Sequence, residues 1–384
     1  MLFATPQLTA REVEVIAGVD DLKRKLSRQL HDPRRWFGSL RRASMARAIQ
    51  GSNSIEGYEA PLDDAAAVDL GEDPLDADHE TWLALKGYRD AMTYVLQIAS
   101  EPHFAYSEQL LKSLHFMMTS YDLNVRPGLW RAGSIYLRNE ATGDVVYEGA
   151  DIDEVPGLMS ELVVGINDEP QVPPMVRAAM AHLNLVMIHP FRDGNGRMAR
   201  CLQTLVLARE GVLSPVFCSI EEYLGRNTQA YYDVLATVGA GGWHPESDAT
   251  PWVRFTLTAH LRQARTMLRR VKESERLWGD LEEVARTHRL PERSVSGLFD
   301  AAMNFRLRNA TYRAIAAAES DGEGLTEATA TRDLRLMVDA ALLEPKGEKR
   351  GRFYVATPRL QAMRRAIIDS RDPRDDSDPF ASAA

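Results

Sequence analysis

Residues 189–200 read HPFRDGNGRMAR, which packs an imidazole, a carboxylate, a glycine-flanked Asn and two arginines into a dozen positions. Residues 176–188 before this stretch and 198–209 after it carry apolar side chains at helical spacing, so the stretch reads as helix, tight loop, helix. Gly194 and Gly196 let the backbone approach a ligand without a Cβ in the way. The first amides of the second helix have no intrahelical acceptor and point at an anion. Arg197 and Arg200 lie three apart, on neighbouring positions of one helical face, and add positive charge there. The arrangement suits a polyphosphate. Asp193 is a hard oxygen donor of the kind that holds Mg²⁺ against phosphate oxygens. His189, with a reference pKa near 6.5, can take a proton from an attacking hydroxyl at neutral pH. No side chain of the loop looks like a nucleophile, so direct in-line transfer to an outside hydroxyl is the chemistry that fits.

The order of these residues resembles the signature of Fic-domain proteins: His-Pro-Phe, any residue, Asp or Glu, Gly-Asn, Gly or Lys, Arg, and a second Arg three positions on. The resemblance implies a mainly α fold, a helical bundle with a β-hairpin flap, and transfer of AMP from ATP to a Ser, Thr or Tyr hydroxyl. By that likeness His189 is the base, Asp193 the Mg²⁺ ligand and Phe191 the anchor of the loop in the core. Gly194, Asn195 and Gly196 would cradle the α- and β-phosphates, with Arg197 and Arg200 on the β- and γ-phosphates. Gly196 stands where the phosphotransferase branch of the family carries Lys, which favours the AMP-transferring branch.

Other segments must position this loop. Residues 133–151 (GSIYLRNEATGDVVYEGAD) predict a hairpin, with Ile135, Tyr136 and Leu137 in one strand, a turn at ATGD, and 145–147 returning. A two-stranded ribbon with a free edge can pair with an extended segment of another protein, and the resemblance makes this hairpin the target-docking flap. Residues 41–55 predict a helix with Met45, Ile49 and Ile55 on its apolar side and Gly57 at its C-terminal cap. A carboxylate at a helix C-terminus is disfavoured by the macrodipole, so Glu56 needs a cationic partner or solvent. Ser52, Glu56 and Gly57 also match the inhibitory motif of the Fic family, in which the Glu pairs with the second Arg, here Arg200, and blocks the γ-phosphate seat. The same resemblance leaves open a role for Glu56 in removing AMP. Residues 220–235 predict one helix presenting Tyr223, Asn227, Tyr231 and Tyr232, of which Asn227 and Tyr232 are the candidate nucleotide contacts.

The chain has 384 residues, 45% hydrophobic and 26% charged, with a formal charge of −9, a balance that speaks against wholesale coating of nucleic acid. No apolar run reaches membrane-spanning length and the first residues lack a leader pattern, so a cytoplasmic protein without a membrane association is expected. Cys201 and Cys218 lack metal or redox spacing and read as small core residues. The expected organisation is an N-terminal helical region with the inhibitory helix (1–100), a Fic core (101–240), a connecting helix (252–279), a further module (281–360) and a disordered tail (370–384). In the module, a helix at 311–318, a turn at 322–324, a helix at 327–341 capped by Thr326 and two strands around a basic turn resemble a winged helix-turn-helix domain. Thr329, Thr331, Arg332 and Arg335 would lie on its second helix, with Lys346, Lys349, Arg350 and Arg352 in the wing. Residues 304–360 hold ten Lys and Arg against eight Asp and Glu, a slight surplus that leaves DNA binding and protein docking both open. A regulator whose Fic domain only senses nucleotide is the competing class, and homodimer formation is a further implication of the resemblance.

Overall fold

The computed structural model describes residues 1–30, 35–138, 142–168, 171–210, 219–319, 324–348 and 351–381. It is mainly helical. The chain begins with α1 (Ala10–Leu30), α2 (Phe37–Ser54), α3 (Leu62–Asp69), α4 (His79–Ile98) and α5 (Glu108–Thr119). A hairpin of β1 (Tyr136–Arg138) and β2 (Val145–Glu148) follows, then α6 (Val155–Asp168), α7 (Pro174–Ile188) and α8 (Asn195–Arg209). Next come α9 (Glu221–Arg226), α10 (Thr228–Gly239) and the long α11 (Thr250–Thr287). The C-terminal part contains α12 (Ser294–Ala302), α13 (Asn309–Glu319), α14 (Glu327–Asp339), the hairpin β3 (Leu343–Lys346) and β4 (Phe353–Ala356), and α15 (Pro358–Asp369).

Two hydrophobic cores form. The first gathers Tyr88, Leu114, Leu183, Leu202 and Trp252 around α7 and α8. The second gathers Met267, Trp278, Phe299, Tyr312, Leu334 and Leu360. At 38 residues, α11 is about 57 Å long and contributes Val253 and Leu257 to the first core and Val271 and Leu281 to the second. The core of the C-terminal module therefore reaches back beyond the expected start at 281. It uses α11 from Met267 onward and borrows Leu26 from α1 and Trp36 and Leu40 from the start of α2.

Helix α2 passes between both cores. Trp36 and Leu40 sit in the second, Ile49 and Ile55 in the first. It is buried on nearly every side, with Ala43, Ala46, Ala48, Gly51 and Ser52 all inaccessible, and small residues make that possible. At its closest crossing, a Cβ on Gly51 would lie 2.6 Å from the Glu221 carbonyl, and one on Gly225 would lie 2.7 Å from Gly51 Cα. Only glycine lets α2 and α9 approach so closely. Gly57, at φ 86°, then turns the chain away from the helix end in the left-handed conformation expected of a cap.

Charge pairs tie the C-terminal module to the N-terminal helices. Buried Arg306 reaches Asp63 at 3.0 Å and Asp64 at 2.9 Å, and Arg42 on α2 reaches Asp300 on α12 at 2.9 Å. Thr326 caps α14 by accepting from Thr329 N, as its sequence position predicts. The turn at 322–323, Lys349, Arg350 and Cys218 lie outside the described residues. The tail differs from expectation: residues 370–381 lie along α11, with Arg371 donating to both oxygens of Glu273 at 2.6 and 2.7 Å and Arg265 paired with Asp375 at 2.8 Å. The Asp-, Pro- and Ser-rich composition suggested disorder, but the Asp and Arg side chains of the tail are complementary to Arg and Glu on α11.

Candidate active site

Helices α7 and α8 pack antiparallel, and the loop between them holds the chemistry. His189 caps α7 at φ 54°, a left-handed conformation that turns the chain sharply and projects the imidazole at the loop's start. Its Nδ1 donates to the Val186 carbonyl at 3.0 Å, which leaves the Nε2 lone pair as the proton acceptor. Burial pushes the His189 pKa below the ordinary imidazole range, against the opposing pull of the Val186 hydrogen bond and the Glu56 charge. The acid limb of a pH–rate profile for transfer should therefore have its midpoint below the reference value of ~6.5; a midpoint at or above it would mean that burial does not govern this imidazole.

Phe191 is fully buried and stacks on His115, with ring centroids 3.7 Å apart. Asn195 braces the same turn: its side chain accepts from Phe191 N and donates to Phe191 O, both at 2.9 Å. Its amide side chain is thus committed to the loop, so its own contribution to a phosphate cradle would come from the backbone. Gly194 opens α8 at φ 77°. The amides of residues 195–197 have no intrahelical acceptor and face the cradle, at the positive end of the helix.

The two arginines differ. Buried Arg197 donates to the Tyr121 hydroxyl at 3.2 Å and to Asp193 Oδ2 at 3.3 Å, and it lies over the Tyr58 ring at 5.0 Å. Arg200 is held by the end of α2 and the turn after it, donating to Ser52 Oγ and O at 2.8 Å each and to Glu56 Oε1 at 2.6 Å. Burial opposes the Glu56 charge, but Arg200 and Arg197 outweigh it and hold the carboxyl below the usual range. A Cβ at Gly196 would strike Glu56 Oε1. The Glu56 carboxylate therefore sits against the head of α8, where the free amides favour an anion. Asp193 is different again: its carboxylate is about half exposed and only loosely engaged.

The flap lies beside this loop. Tyr136 pairs with Glu148 and Leu137 with Tyr147, with an irregularity before Arg138, so the strand is Tyr136–Arg138 and Ile135 lies just before it. Glu148 N donates to the Gly241 carbonyl at 3.1 Å, which covers part of the β2 edge and leaves β1 as the open one. Tyr136 and Leu137 are exposed there.

Helix 220–235 is broken at Asn227 rather than continuous, giving α9 and α10. Asn227 donates to the Tyr223 carbonyl at 2.8 Å. The Tyr232 hydroxyl donates to the Ile55 carbonyl at 2.8 Å while its ring stays exposed, next to the Glu56 turn. Tyr231 is a core residue whose hydroxyl lies 3.0 Å from His182 Nε2.

Several site residues carry no sequence signal of their own. Arg131 is buried and staples loop to flap: its backbone N donates to Pro190 O at 2.8 Å, its Nε to His189 O at 2.9 Å, and its guanidinium also to Gly133 and Ala150. His115 donates from Nε2 to Asp193 O at 3.0 Å and accepts from Gly128 N at 2.8 Å; burial lowers its pKa to about 4, so it stays neutral. Tyr147 anchors the flap through its hydroxyl to Met187 O at 2.7 Å. Each is a single residue far in sequence from the loop it supports.

Residues 105–207 match the family profile described as the Fic/DOC family, so this segment is a Fic/DOC domain. The chain is similar to protein adenylyltransferase fic-1 of Caenorhabditis elegans, 26% identical over 262 residues that cover 65% of this chain and 47% of that protein. It is also similar to protein adenylyltransferase Fic of Culex quinquefasciatus, 39% identical over 116 residues, 29% of this chain and 21% of that one. The chain thus spans about half the length, or less, of these curated relatives. Among solved structures, a Fic family protein from Desulfovibrio desulfuricans G20 superposes with a TM-score of 0.58 at 23% identity, covering 92% of this chain and 98% of that one. C. elegans Fic-1 superposes with a TM-score of 0.55 at 23% identity, over 68% of this chain and 73% of that one. No helix of the described residues is long and apolar enough to cross a membrane.

Proposed function

We propose that the protein is an adenylyltransferase that moves AMP from ATP to a hydroxyl side chain of a target protein and is held inactive by its own Glu56. One observation carries this reading: a buried imidazole with a free Nε2, the open amides that head α8, and Arg197 meet at one loop beside an exposed strand edge. A nucleotide sensor has no need of the base. In the proposed reaction an extended segment of the target pairs with β1 and presents its hydroxyl to His189. Nε2 takes the hydroxyl proton as the oxygen bonds to the α-phosphorus, and the bond to the α,β-bridging oxygen breaks to release pyrophosphate. The amides of 195–197 and Arg197 neutralise the phosphate charge that develops. Arg131 and His115 are positioning residues that hold the loop.

Asp193 suits the Mg²⁺ that accompanies ATP. Asp193 would hold that ion through a carboxylate oxygen, and among the described residues no three His, Cys, Asp or Glu side chains converge. Bound there, the ion would offset phosphate charge. Asn227 and Tyr232 remain our candidates for the nucleoside end, Tyr232 supported by its place beside the Glu56 turn.

The C-terminal module is, in our reading, a winged helix, supported by its order of helices and by the single antiparallel bridge from Leu307 to Tyr354 beside the β3–β4 hairpin. Its described basic residues are partly neutralised, Lys346 by Glu344 and Arg293 by Asp333, each at 2.6 Å. That favours docking over DNA binding.

Intact-mass measurement after incubation of the Glu56→Gly protein with Mg²⁺ and a mixture of nucleotides tests the donor. An AMP-sized gain that requires ATP is the expected result. A gain of phosphate alone, or of another nucleotide, would overturn ATP as the AMP donor.

A further inference from the structure

A cluster of arginines lies away from the catalytic loop. A cavity of 150 Å³ opens where α2, α11, α12 and α15 meet, floored by Leu40, Phe299 and Ile367. Seven arginines line it, against one carboxylate, Glu273. Four of the seven have carboxylate partners. Arg270 donates to both oxygens of Glu222 at 2.6 Å, Arg226 and Arg47 approach the same group at 2.7 and 3.8 Å, and Arg371 takes Glu273. Arg269, Arg364 and Arg374 have no carboxylate within ion-pair distance among the described residues; Arg364 donates only to the Ala302 carbonyl, at 3.3 Å. On a chain of net charge −9, three guanidiniums without a carboxylate in direct contact, sharing only the nearby charge of Glu273, leave room for an anion. Burial and then neighbouring guanidiniums lower the pKa of Arg269 and Arg364, and burial with Arg270 lowers that of Arg47 to about 9.

A larger cavity of 790 Å³ lies next to it and shares Arg226, Arg269, Glu273 and Arg371 as lining. The larger space is walled by α11 and the tail and offers the ring of Tyr223 and the side chain of Leu22. Arginine forks match phosphate oxygens in geometry and charge. A chain of two or three phosphates would bridge the unpaired arginines in the smaller cavity, with room beside it for an attached nucleoside.

We propose that this cavity is a second anion site, separate from the catalytic loop, that binds a di- or triphosphate chain. Leu40 and Arg47, which line it, belong to α2, and Arg47 lies less than two turns before Ser52. The binding itself stands whichever role Glu56 plays.

Calorimetric titration of the full chain with inorganic triphosphate in Mg²⁺-free buffer tests it, carried out in an Arg197→Gln background that weakens the catalytic seat. The expected result is one saturable site per chain, weakened about tenfold or more by Arg269→Gln/Arg364→Gln. Removing like charges should leave the melting temperature of the unliganded double variant unchanged or raised. Arg374→Gln, on the exposed tail where the fold is not at risk, should weaken binding in the same direction. Absence of saturable binding, binding indifferent to all three arginines, or a variant that melts lower yet binds triphosphate as before would overturn the proposal. Titration with ATP in parallel separates the sources: tighter binding than triphosphate places the nucleoside in the larger cavity, and equal binding means that the phosphate chain alone is recognised.

Discussion

Replacing Glu56 by Gly should raise the rate of AMP transfer by about 100-fold. The carboxylate pairs with fully buried Arg200 at 2.6 Å and lies against the amides at the head of α8. At an effective dielectric of ~20, and after the desolvation that opposes it, such a pair would stabilise the proposed blocked state by about 3 kcal/mol. That would hold the open state near or below about 1% of the population. Without the carboxylate, Arg200 keeps its bonds to Ser52 but loses its charge partner, and the anion seat is free for phosphate. The variant adds a second glycine before Gly57 in an already non-helical turn, so the helix itself should persist. Progress curves for the two proteins at saturating ATP decide it: equal rates would mean that Glu56 does not restrain the site.

Replacing His189 by Ala in the Glu56→Gly background should lower transfer by about 10²- to 10⁴-fold, the range for loss of a positioned general base. The imidazole is fixed from two sides, by its own Nδ1 bond to Val186 and by Arg131 on its carbonyl, so no other side chain of the loop takes its place. His115, the nearest alternative imidazole, is stacked on Phe191 with both nitrogens engaged, and its pKa of about 4 suits structure rather than proton transfer. Nucleotide binding should be retained, because the amides of α8 and Arg197 are untouched. A rate loss with an equal loss of nucleotide affinity would point to a collapsed loop instead of a missing base.

The loop from His189 to Arg200 was legible in the sequence because its chemistry is local. Glycines, an imidazole and arginines within a dozen residues constrain one another through a single turn, and apolar periodicity on both sides places that turn between helices. The hairpin and the capping of α14 were legible for the same reason, since turn residues and capping side chains act over a few positions. The break at Asn227 was not, because an amphipathic pattern spans both α9 and α10 without interruption. Nor was the extent of the C-terminal module, whose core depends on Trp36 and Leu40 from the far end of the chain.

What the sequence determined by itself, then, is the chemistry available: which groups can hold phosphate, accept a proton or ligate a hard cation. What only the tertiary structure decided is which of them face one another. Glu56 and Arg200 are 144 positions apart, and nothing in either neighbourhood sets their 2.6 Å separation. It follows from Gly51 meeting Gly225, from Trp36 and Leu40 seating the start of α2 in the second core, and from Arg42 and Arg306 bonding across the two. The same packing gathers seven arginines from α2, α9, α11, α15 and the tail around one cavity, although in sequence each looks like a solvated surface charge. Backbone preferences act over a few residues, whereas burial and charge pairing act across whatever the fold brings together.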